Sequence, residues 1–441
     1  NMILKDKRFY KFDGLAIDSR DIKKNQLFLA IKGKNNDGNK FIPHAKKKGA
    51  SYIISAQSNK NKSILVRNPL SFLNEFAILK RENCNAKIIA ITGSTGKTSL
   101  KNLLKILLEN FNSTYASQRS FNNHFGVPIS LSNLNLTHKF GVFEVGMNKA
   151  GEINKLSKII KPNIAIITNI AEAHIENFKN IKGIAKAKSE VINNIEEGGT
   201  LIINRDDKFF EYLSKKAKLK GLKVVSFGKS QRADVKILKV KKQGEIKALT
   251  VNVRNEIVNI KIKNINSYNV LAALAVLNEL NLNSNKVLPL FKNIQPSQGR
   301  GKIHNVLRYK KKFVLIDESY NASPFTVKNA IDNFSQIKKD NFKKYLLLGD
   351  MLELGKKTRF YHEELAKLIN SSDIDKVFIK GKNTFFTYKN LIKKKRGNIF
   401  QCSQDIDLIL KNIIANKDYL MVKGSNAMGL SKISKAMIKG T

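Results

Sequence analysis

The sequence predicts a three-domain α/β protein, and three observations lead to that prediction. The chain has 441 residues, which is too long for one ordinary core and fits two or three domains. Apolar residues make up 42% of it and charged residues 26%, the balance of a folded globular protein. Short apolar runs alternate with helical patterns along most of the chain, which is typical of mostly parallel sheets.

The predicted first domain covers residues 1–84, where short apolar runs such as 27–31 and 52–56 alternate with turn-rich connections such as 33–39. These runs have the length of strands, and the Gly and Asn residues between them favour turns. We therefore expect a small N-terminal α/β domain.

The predicted central domain covers residues 85–300 and opens, at 87–111, with a buried strand, a Gly-rich turn and an amphipathic helix. Residues 234–263 alternate apolar and polar side chains, which predicts a β-rich insertion. Further strands with helical patterns between them predict a mostly parallel sheet, and they lie at 140–147, 163–170 and 200–204.

The predicted C-terminal domain covers residues 301–441 and repeats the alternation of strands and helices. No Gly-rich strand-turn-helix motif occurs in this part of the sequence. We therefore expect a Rossmann-like domain without a phosphate loop of its own. Its strand patterns lie at 313–317, 344–350, 376–381 and 419–424.

Composition and charge exclude several classes of protein. Lys and Arg number 80 against 35 Asp and Glu, a net charge of +45, which alone would favour a nucleic-acid partner. The lysines are spread along the chain without an arginine-rich groove motif, so we expect no nucleic-acid partner. No apolar run approaches the roughly 18 residues of a membrane span. Cys84 and Cys402 stand far apart, which is typical of a reducing cytoplasm, so we expect a soluble cytoplasmic protein.

A phosphate-binding loop is the strongest motif in the chain. Its glycines let backbone N–H groups turn towards phosphates, and the helix N-terminus adds partial positive charge. Lys97 would reach the terminal phosphates and Thr98 would bind Mg²⁺. The motif does not by itself distinguish a kinase, GTPase, ATPase or ligase. It consists of Gly93, Ser94, Thr95, Gly96, Lys97, Thr98 and Ser99.

The shorter spelling of this loop, T-G-x-x-G-K-T at 92–98, resembles that of the Mur ligase family, the ATP-dependent amide synthases of the bacterial cell wall. The resemblance extends over nearly the whole chain and implies three α/β domains that use ATP and Mg²⁺. Other segments resemble family motifs in the same order: SFNNHFGVP (120–128), FEVGMNKAGEI (143–153), TNIAEAHIENF (168–178), AKAKSE (185–190), DESYNASP (317–324), LLGDMLELG (347–355) and VKGS (422–425).

The resemblance also implies a reaction and its substrates. It is strongest with the branch that joins D-alanyl-D-alanine to UDP-N-acetylmuramoyl-tripeptide through an acyl phosphate, because GDMLELG is typical of that branch. A monomer that acts on these two small molecules is expected. The implied substrate-binding residues are Ser19 and Arg20 for the UDP end, Asn122 and Asn123, and Asp350 and Glu353 near the dipeptide amine.

Three residues beyond the loop combine with it into a predicted catalytic site. Glu144 at a strand end and His174 after the next strand could both face the phosphate loop, since parallel strands end at one edge. With Thr98 they would bind Mg²⁺. The resemblance implies that Lys188 is carbamylated and supplies a further anionic ligand. It also implies that Lys97, Glu144, His174 and Lys188 are catalytic.

Residues outside the loop are also expected to bind ATP. Arg300 lies between two glycines at the predicted domain boundary, where it could swing onto the phosphates. The remaining nucleotide-binding residues are implied by the resemblance, and three of them would close over ATP from the C-terminal domain. They are Asn269, Asp317, Tyr320 and Asn321.

The chain departs from the family pattern near two predicted ligand sites. Ile265 stands where the family has a His, just before Asn266, in the region that binds adenine. Asn426 replaces the Arg of the family's K-G-S-R run, which affects how the dipeptide carboxylate is held. Lys423 is a candidate substitute for the missing cation.

Three alternative functions remain open. Two are enzymes, namely a sister ligase that adds a single amino acid and a folylpolyglutamate-type synthase. The third is a P-loop ATPase that binds nucleic acid. The segments 349–355 and 18–20 favour the dipeptide ligase over the other two enzymes. Diaminopimelate and lysine both remain candidates for the third residue of the tripeptide.

Overall fold

The computed structural model describes residues 7–33, 36–57, 63–173, 175–244, 246–337 and 340–439. Three β-sheets with helices packed against them make up these ranges. Among the helices described, none combines the length and the apolar character that crossing a membrane would require.

The first sheet has four strands in the order β1-β2-β3-β4, and every neighbouring pair is parallel. Asn68 caps the longer helix by accepting hydrogen bonds from the next turn, and Pro69 occupies its first position, where a missing N–H costs nothing. The elements are β1 (Gly14–Ala16), β2 (Gln26–Leu29), β3 (Tyr52–Ser55), β4 (Ser63–Leu65), α1 (Ile42–Lys47) and α2 (Pro69–Glu82).

The central sheet has nine strands in the order β13-β12-β11-β10-β9-β8-β5-β7-β6. Its strands are β5 (Lys87–Thr92), β6 (Thr114–Ala116), β7 (Phe140–Glu144), β8 (Ile164–Ile167), β9 (Thr200–Asn204), β10 (Lys223–Gly228), β11 (Val235–Gln243), β12 (Ile246–Val253) and β13 (Glu256–Lys263). Its helices are α3 (Lys97–Leu108), α4 (Gly126–Ser132), α5 (Glu152–Ile160), α6 (Ile181–Lys188), α7 (Phe210–Leu219) and α8 (Ser267–Glu279).

Most of the central sheet is parallel, and β11, β12 and β13 form an antiparallel meander at one edge. This meander confirms the β-rich insertion that the alternating pattern predicted. Strand β5 is covered on both faces, because Ile88 and Ala90 pack into one core while Ile89 and Ile91 pack into the other. Its side chains therefore alternate between two layers of helices.

The third sheet has six strands in the order β14-β15-β19-β16-β17-β18, and all neighbours are parallel except β14 and β15. Its strands are β14 (Lys302–Arg308), β15 (Lys311–Glu318), β16 (Lys344–Gly349), β17 (Lys376–Lys380), β18 (Arg396–Phe400) and β19 (Tyr419–Lys423). Its helices are α9 (Pro324–Ser335), α10 (Thr358–Ser371), α11 (Thr384–Lys389), α12 (Ser403–Ile413) and α13 (Leu430–Lys439).

Strand β14 is an element that the sequence patterns did not predict. It pairs with β15 through a tight hairpin whose central residues, Tyr309 and Lys310, have φ values of 58° and 60°. Two-residue hairpins require this left-handed backbone and normally signal it with Asn or Gly. Tyr and Lys give no such signal, so β14 was not predicted. The third sheet therefore includes one strand before the strand that the apolar pattern predicted.

Candidate active site

The phosphate loop follows β5 in a conformation that depends on its two glycines. Gly93 has a φ of 139°, and a Cβ atom there would lie 1.9 Å from the hydroxyl of Thr168. Gly96 has a φ of 82°, and a Cβ there would lie 3.0 Å from the side-chain oxygen of Asn269. Both positions require a residue without a side chain. The loop then enters α3, with Ser99 in the first turn.

The residues that follow β8 hold the loop in place. Asn169 accepts a hydrogen bond from the Thr95 amide at 2.9 Å and donates to the Thr95 hydroxyl at 2.7 Å. The Ser94 hydroxyl donates to Ala171 O at 2.8 Å, and Thr168 donates to Thr95 O at 2.6 Å. Thr168 and Asn169 begin the family-like segment 168–178 but were not among the predicted site residues, although a Thr-Asn pair directly after a buried strand is a detectable signal.

Lys97 folds back over the loop, where its Nζ atom donates to Gly93 O at 2.7 Å. Burial lowers the pKa of Lys97, the Glu144 carboxylate opposes that effect, and the positive charge of Arg300 adds to it. The ammonium group therefore lies between an anion and a second cation at the mouth of the loop. Entering phosphates would replace the backbone carbonyl as its partner.

Glu144 ends β7 and connects the loop to the next segment of the chain. Its side chain is 1% exposed, and its two oxygens accept hydrogen bonds from the Thr98 hydroxyl and the Asn122 amide, both at 2.7 Å. Its backbone amide donates to the Ser117 hydroxyl at 3.1 Å. The structure thus brings together Thr98, Glu144 and Asn122, which were predicted from separate motifs.

Lys188 is the last residue of α6 and is 2% exposed. Burial holds the pKa of Lys188 well below its usual value, and the nearby charge of Lys97 lowers it further. Among the residues that the structure describes, no hydrogen-bond partner of its amine is found. His174, the fourth predicted catalytic residue, lies outside the described residues.

Arg300, the last residue of the predicted central domain, reaches the loop from the domain boundary. Its Nη2 atom donates to the Ser120 hydroxyl at 3.2 Å, and that hydroxyl lies 3.3 Å from the hydroxyl of Thr98. The guanidinium group stacks over the ring of Tyr320, 4.1 Å from its centre. Ser120 was not singled out from the sequence, because only the folded chain places it between two predicted site residues.

Asp317 and Asn321 lie at the hinge around Arg300. The Asp317 carboxylate is 1% exposed and accepts hydrogen bonds from the Gly299 amide at 2.9 Å and the Ser319 hydroxyl at 2.5 Å. Asn321 is exposed, and its carbonyl accepts from Lys423 at 2.5 Å. The Gly301 amide also donates to Asp317 O at 2.8 Å, so Asp317 binds the backbone on both sides of Arg300.

The predicted dipeptide region lies where β16 ends. Asp350 is 5% exposed and accepts hydrogen bonds from the backbone amides of Thr384 and Asn383 at 2.7 and 3.2 Å. Glu353 has a φ of 64°, and its carbonyl accepts from the Glu176 amide in the central domain at 3.2 Å. This segment therefore contacts the central domain in the connection between β8 and α6.

Lys423, the candidate substitute for the missing arginine, is directed towards the hinge. It is 1% exposed, with its Nζ atom 3.5 Å from the Glu318 carboxylate and hydrogen-bonded to the carbonyls of Glu318 and Asn321. Burial lowers the pKa of Lys423, which the Glu318 carboxylate opposes. Lys423 is therefore already paired with Glu318 and Asn321 near the domain boundary.

In the first domain, the Ser19 hydroxyl lies 2.9 Å from Nδ1 of His44. Arg20 is exposed and pairs with Asp18 at 2.6 Å, which lowers the pKa of the Asp18 carboxyl to about 2. Asn123 accepts from the amide of Gly126, the first residue of α4, at 2.9 Å. Within the described ranges, no hydrogen bond joins these residues to the phosphate loop.

Comparisons with known proteins indicate the same family along nearly the whole chain. The Mur ligase family catalytic domain matches residues 11–81, the Mur ligase middle domain 91–277 and the Mur ligase glutamate ligase domain 304–426. A Rickettsia prowazekii protein named UDP-N-acetylmuramoyl-tripeptide–D-alanyl-D-alanine ligase is 36% identical over 427 residues, which are 95% of this chain and 94% of that protein. A Bacillus subtilis protein of the same name is 28% identical over 434 residues, 97% of this chain and 93% of that protein.

Solved structures share the fold. The crystal structure of the MurF ligase of Thermotoga maritima in complex with ADP has a TM-score of 0.81 at 24% identity and covers 99% of both chains. A bifunctional folylpolyglutamate synthase/dihydrofolate synthase of Yersinia pestis has a TM-score of 0.63 at 14% identity and covers 83% of this chain and 93% of that one. The predicted α/β architecture with three sheet-containing parts is confirmed.

Proposed function

Because the chain belongs to the Mur ligase family, we propose that it is an ATP-dependent ligase that joins D-alanyl-D-alanine to UDP-N-acetylmuramoyl-tripeptide. The observation that carries this proposal is the match of the whole chain to ligases of that name. The contact of Thr98 with Glu144 and the reach of Arg300 towards the loop give the proposal a chemical basis.

The reaction proceeds in two steps. The terminal carboxylate of the tripeptide attacks the γ-phosphorus of ATP, which gives an acyl phosphate and ADP. The dipeptide amine then attacks the acyl carbon, and the tetrahedral intermediate expels phosphate and leaves the amide. Negative charge develops on phosphate and acyl oxygens in both steps, and nearby cations stabilise it. Lys97, Arg300 and the amide groups at the start of α3 supply that positive charge.

A magnesium site is part of this proposal. Thr98, Glu144, His174 and carbamylated Lys188 would hold the ion, and the first two are oxygen donors already in contact at 2.7 Å. Hard oxygen donors of this kind suit Mg²⁺. The bound ion would neutralise phosphate charge.

The remaining sites are assigned to the separate domains, for which we propose the boundaries 1–84, 85–300 and 301–441. Ser19 and Arg20 would bind the UDP end of the substrate. Other substrate contacts would come from Asn122, Asn123, Asp350 and Glu353, and nucleotide contacts from Asn269, Asp317, Tyr320 and Asn321. We further propose that the protein is a cytoplasmic monomer.

Phosphate release by the purified protein tests the proposed reaction. We expect release to require ATP, Mg²⁺, the UDP-linked tripeptide and D-alanyl-D-alanine together, with formation of the pentapeptide product by mass. Single amino acids in place of the dipeptide are the matched control for a sister ligase. Release stimulated by RNA or DNA, and not by the two small molecules, would contradict the proposal. Parallel assays with diaminopimelate and lysine tripeptides would identify the third residue.

Closure of the third domain on the central domain is a second expected result. Gly299 and Gly301 flank Arg300 with φ values of 77° and 94°, so this hinge can absorb backbone rotation. The Lys357–Glu172 ion pair joins the two domains at 3.1 Å, with side chains 53% and 28% exposed. Such exposed pairs contribute only about 0–1 kcal/mol, so the free protein should also sample open arrangements.

Solution scattering measures this closure. We expect the radius of gyration to fall when a non-hydrolysable ATP analogue and the tripeptide are added together, since closure would exclude water from the acyl phosphate. The tripeptide alone serves as the control. An unchanged radius of gyration across the free, nucleotide-bound and doubly bound states would mean that the site is preformed.

A further inference from the structure

Lys101 is a buried lysine that the phosphate-loop motif does not explain. It lies one helical turn beyond Lys97 on α3 and is 1% exposed. Its Nζ atom donates to Ser117 O at 2.6 Å and also to the carbonyl of Arg119. Burial lowers the pKa of Lys101 to about 8, and the Glu144 carboxylate opposes the shift. A buried ammonium group is stable only with such partners.

The two carbonyls belong to the segment 117–122, here named the 117–122 turn, which lies between β6 and α4. Arg119 adopts a left-handed backbone with a φ of 48°. That conformation is unfavourable for a residue with a side chain, because its Cβ atom crowds the following carbonyl oxygen. The Arg119 carbonyl is one of the two that Lys101 binds, so the ammonium group stabilises a conformation that the local sequence disfavours.

The 117–122 turn presents its side chains to the candidate active site. The Ser117 hydroxyl accepts from the Glu144 amide at 3.1 Å, and the Asn122 amide donates to the Glu144 carboxylate at 2.7 Å. Between them, the Ser120 hydroxyl lies 3.3 Å from that of Thr98 and accepts from Arg300 at 3.2 Å. The turn therefore sets the positions of groups on both sides of the phosphate loop.

The same turn also faces the first domain. The positive charge of Arg119 contributes to the low pKa of the Asp18 carboxyl, after the larger effect of Arg20. Asp18 belongs to the segment proposed to hold the UDP end of the substrate. Phe121, in the same turn, packs against the core cluster of the first domain, so a shift of the turn would disturb the phosphate loop and the first domain together.

We propose that Lys101 is a positioning residue for ligation, because its ammonium group holds the 117–122 turn in the conformation that aligns Ser120 and Asn122 with the phosphate loop. This inference rests on the proposed ligase function. We assign Lys101 no contact with substrate or ATP. It acts through the turn alone.

Lys101→Met tests the inference, since methionine fills a similar volume without the charge. We expect kcat to fall by roughly 10²-fold, the loss typical of misplaced reacting groups, while KM for ATP changes little. Lys105→Met is the matched control, because Lys105 lies one turn further along α3 and is 48% exposed. Circular dichroism and the melting temperature of each variant report folding. A folded Lys101→Met protein with the wild-type kcat would overturn the inference.

Substitutions at Arg119 test the same turn without touching Lys101. Valine is strongly disfavoured at a positive φ, whereas glycine adopts it freely. Both substitutions remove the Arg119 charge, so their difference reports the backbone. We expect Arg119→Val to have a much lower kcat than Arg119→Gly, and Arg119→Gly to restore part of the activity lost in Lys101→Met. The Arg119 variants keep the inference testable even if Lys101→Met does not fold. Equal kcat values for Arg119→Val and Arg119→Gly would overturn the inference.

The wild-type protein separates this inference from the proposed function. Wild-type ligation together with a fully active Lys101→Met variant would contradict the positioning role alone. A wild-type protein that forms no pentapeptide would instead contradict the proposed function, and with it the reaction to which the positioning role is tied.

Discussion

Replacing Lys97 by alanine is expected to abolish ligation. The Lys97 ammonium group lies at the mouth of the phosphate loop, 2.7 Å from Gly93 O, and supplies the cation that meets the terminal phosphates. Enzymes lower activation barriers by about 8–23 kcal/mol in total, and electrostatic stabilisation is commonly a large share of this. We therefore expect kcat for phosphate release to fall by several orders of magnitude.

The control for this experiment lies on the same helix. Lys105 is 48% exposed and pairs with Glu109 at 3.5 Å, so Lys105→Ala removes a lysine of α3 without reaching the loop. It should keep nearly all activity. Near-normal ligation by a folded Lys97→Ala protein would remove the phosphate loop from the mechanism.

Much of the site was predictable because its residues occupy positions that topology alone brings together. Thr98 lies in the first turn of the helix after β5 and Glu144 ends β7, and these strands are neighbours in the central sheet. Parallel neighbours end at the same edge, so the strand patterns already implied their contact. Arg300 was predictable from its two flanking glycines, which marked a hinge.

Other contacts could not be predicted because they depend on loop conformation. Ser120 lies between Thr98 and Arg300 in a turn where the Arg119 backbone is left-handed, and arginine gives no signal of that conformation. The β14–β15 hairpin was not predicted for the same reason, because Tyr309 and Lys310 give no signal of their left-handed backbone. The sequence also could not predict the direction of the Lys423 side chain, which binds Glu318 and Asn321.

Composition could not distinguish solvated lysines from lysines that are buried in the fold. Lysines are mostly exposed in folded proteins, but Lys344 is 0% exposed and binds Phe334 O, Ile337 O and the Asp373 carboxylate. There the ammonium group binds carbonyls at the end of α9, where cations are favourable. Buried lysines with fixed partners are therefore part of the fold. One buried lysine of the candidate site differs from Lys344, because no hydrogen-bond partner of its amine is found among the described residues.

That lysine is Lys188, and its surroundings favour carbamylation. It is 2% exposed, and burial together with the charge of Lys97 holds its pKa well below the usual value. A neutral amine is the form that attacks carbon dioxide, forming an N–C bond and releasing one proton to give a carbamate anion. The anion would relieve the repulsion from Lys97 and supply an oxygen ligand for Mg²⁺.

Lys188→Ala is accordingly expected to be nearly inactive, and formate or acetate should restore part of the activity by placing a carboxylate in the space left. Lys186→Ala is the matched control, because Lys186 is exposed on the same helix and should tolerate the change without needing a carboxylate. Removal of dissolved carbon dioxide should slow the wild-type enzyme, and bicarbonate should reverse the loss. Lys188→Ala should not respond to bicarbonate, because it has no amine to modify. A high-resolution map of an active crystal with bound Mg²⁺ and nucleotide that showed a bare ammonium group at Lys188 would contradict the carbamate, since a cation there would repel the metal ion it is proposed to bind.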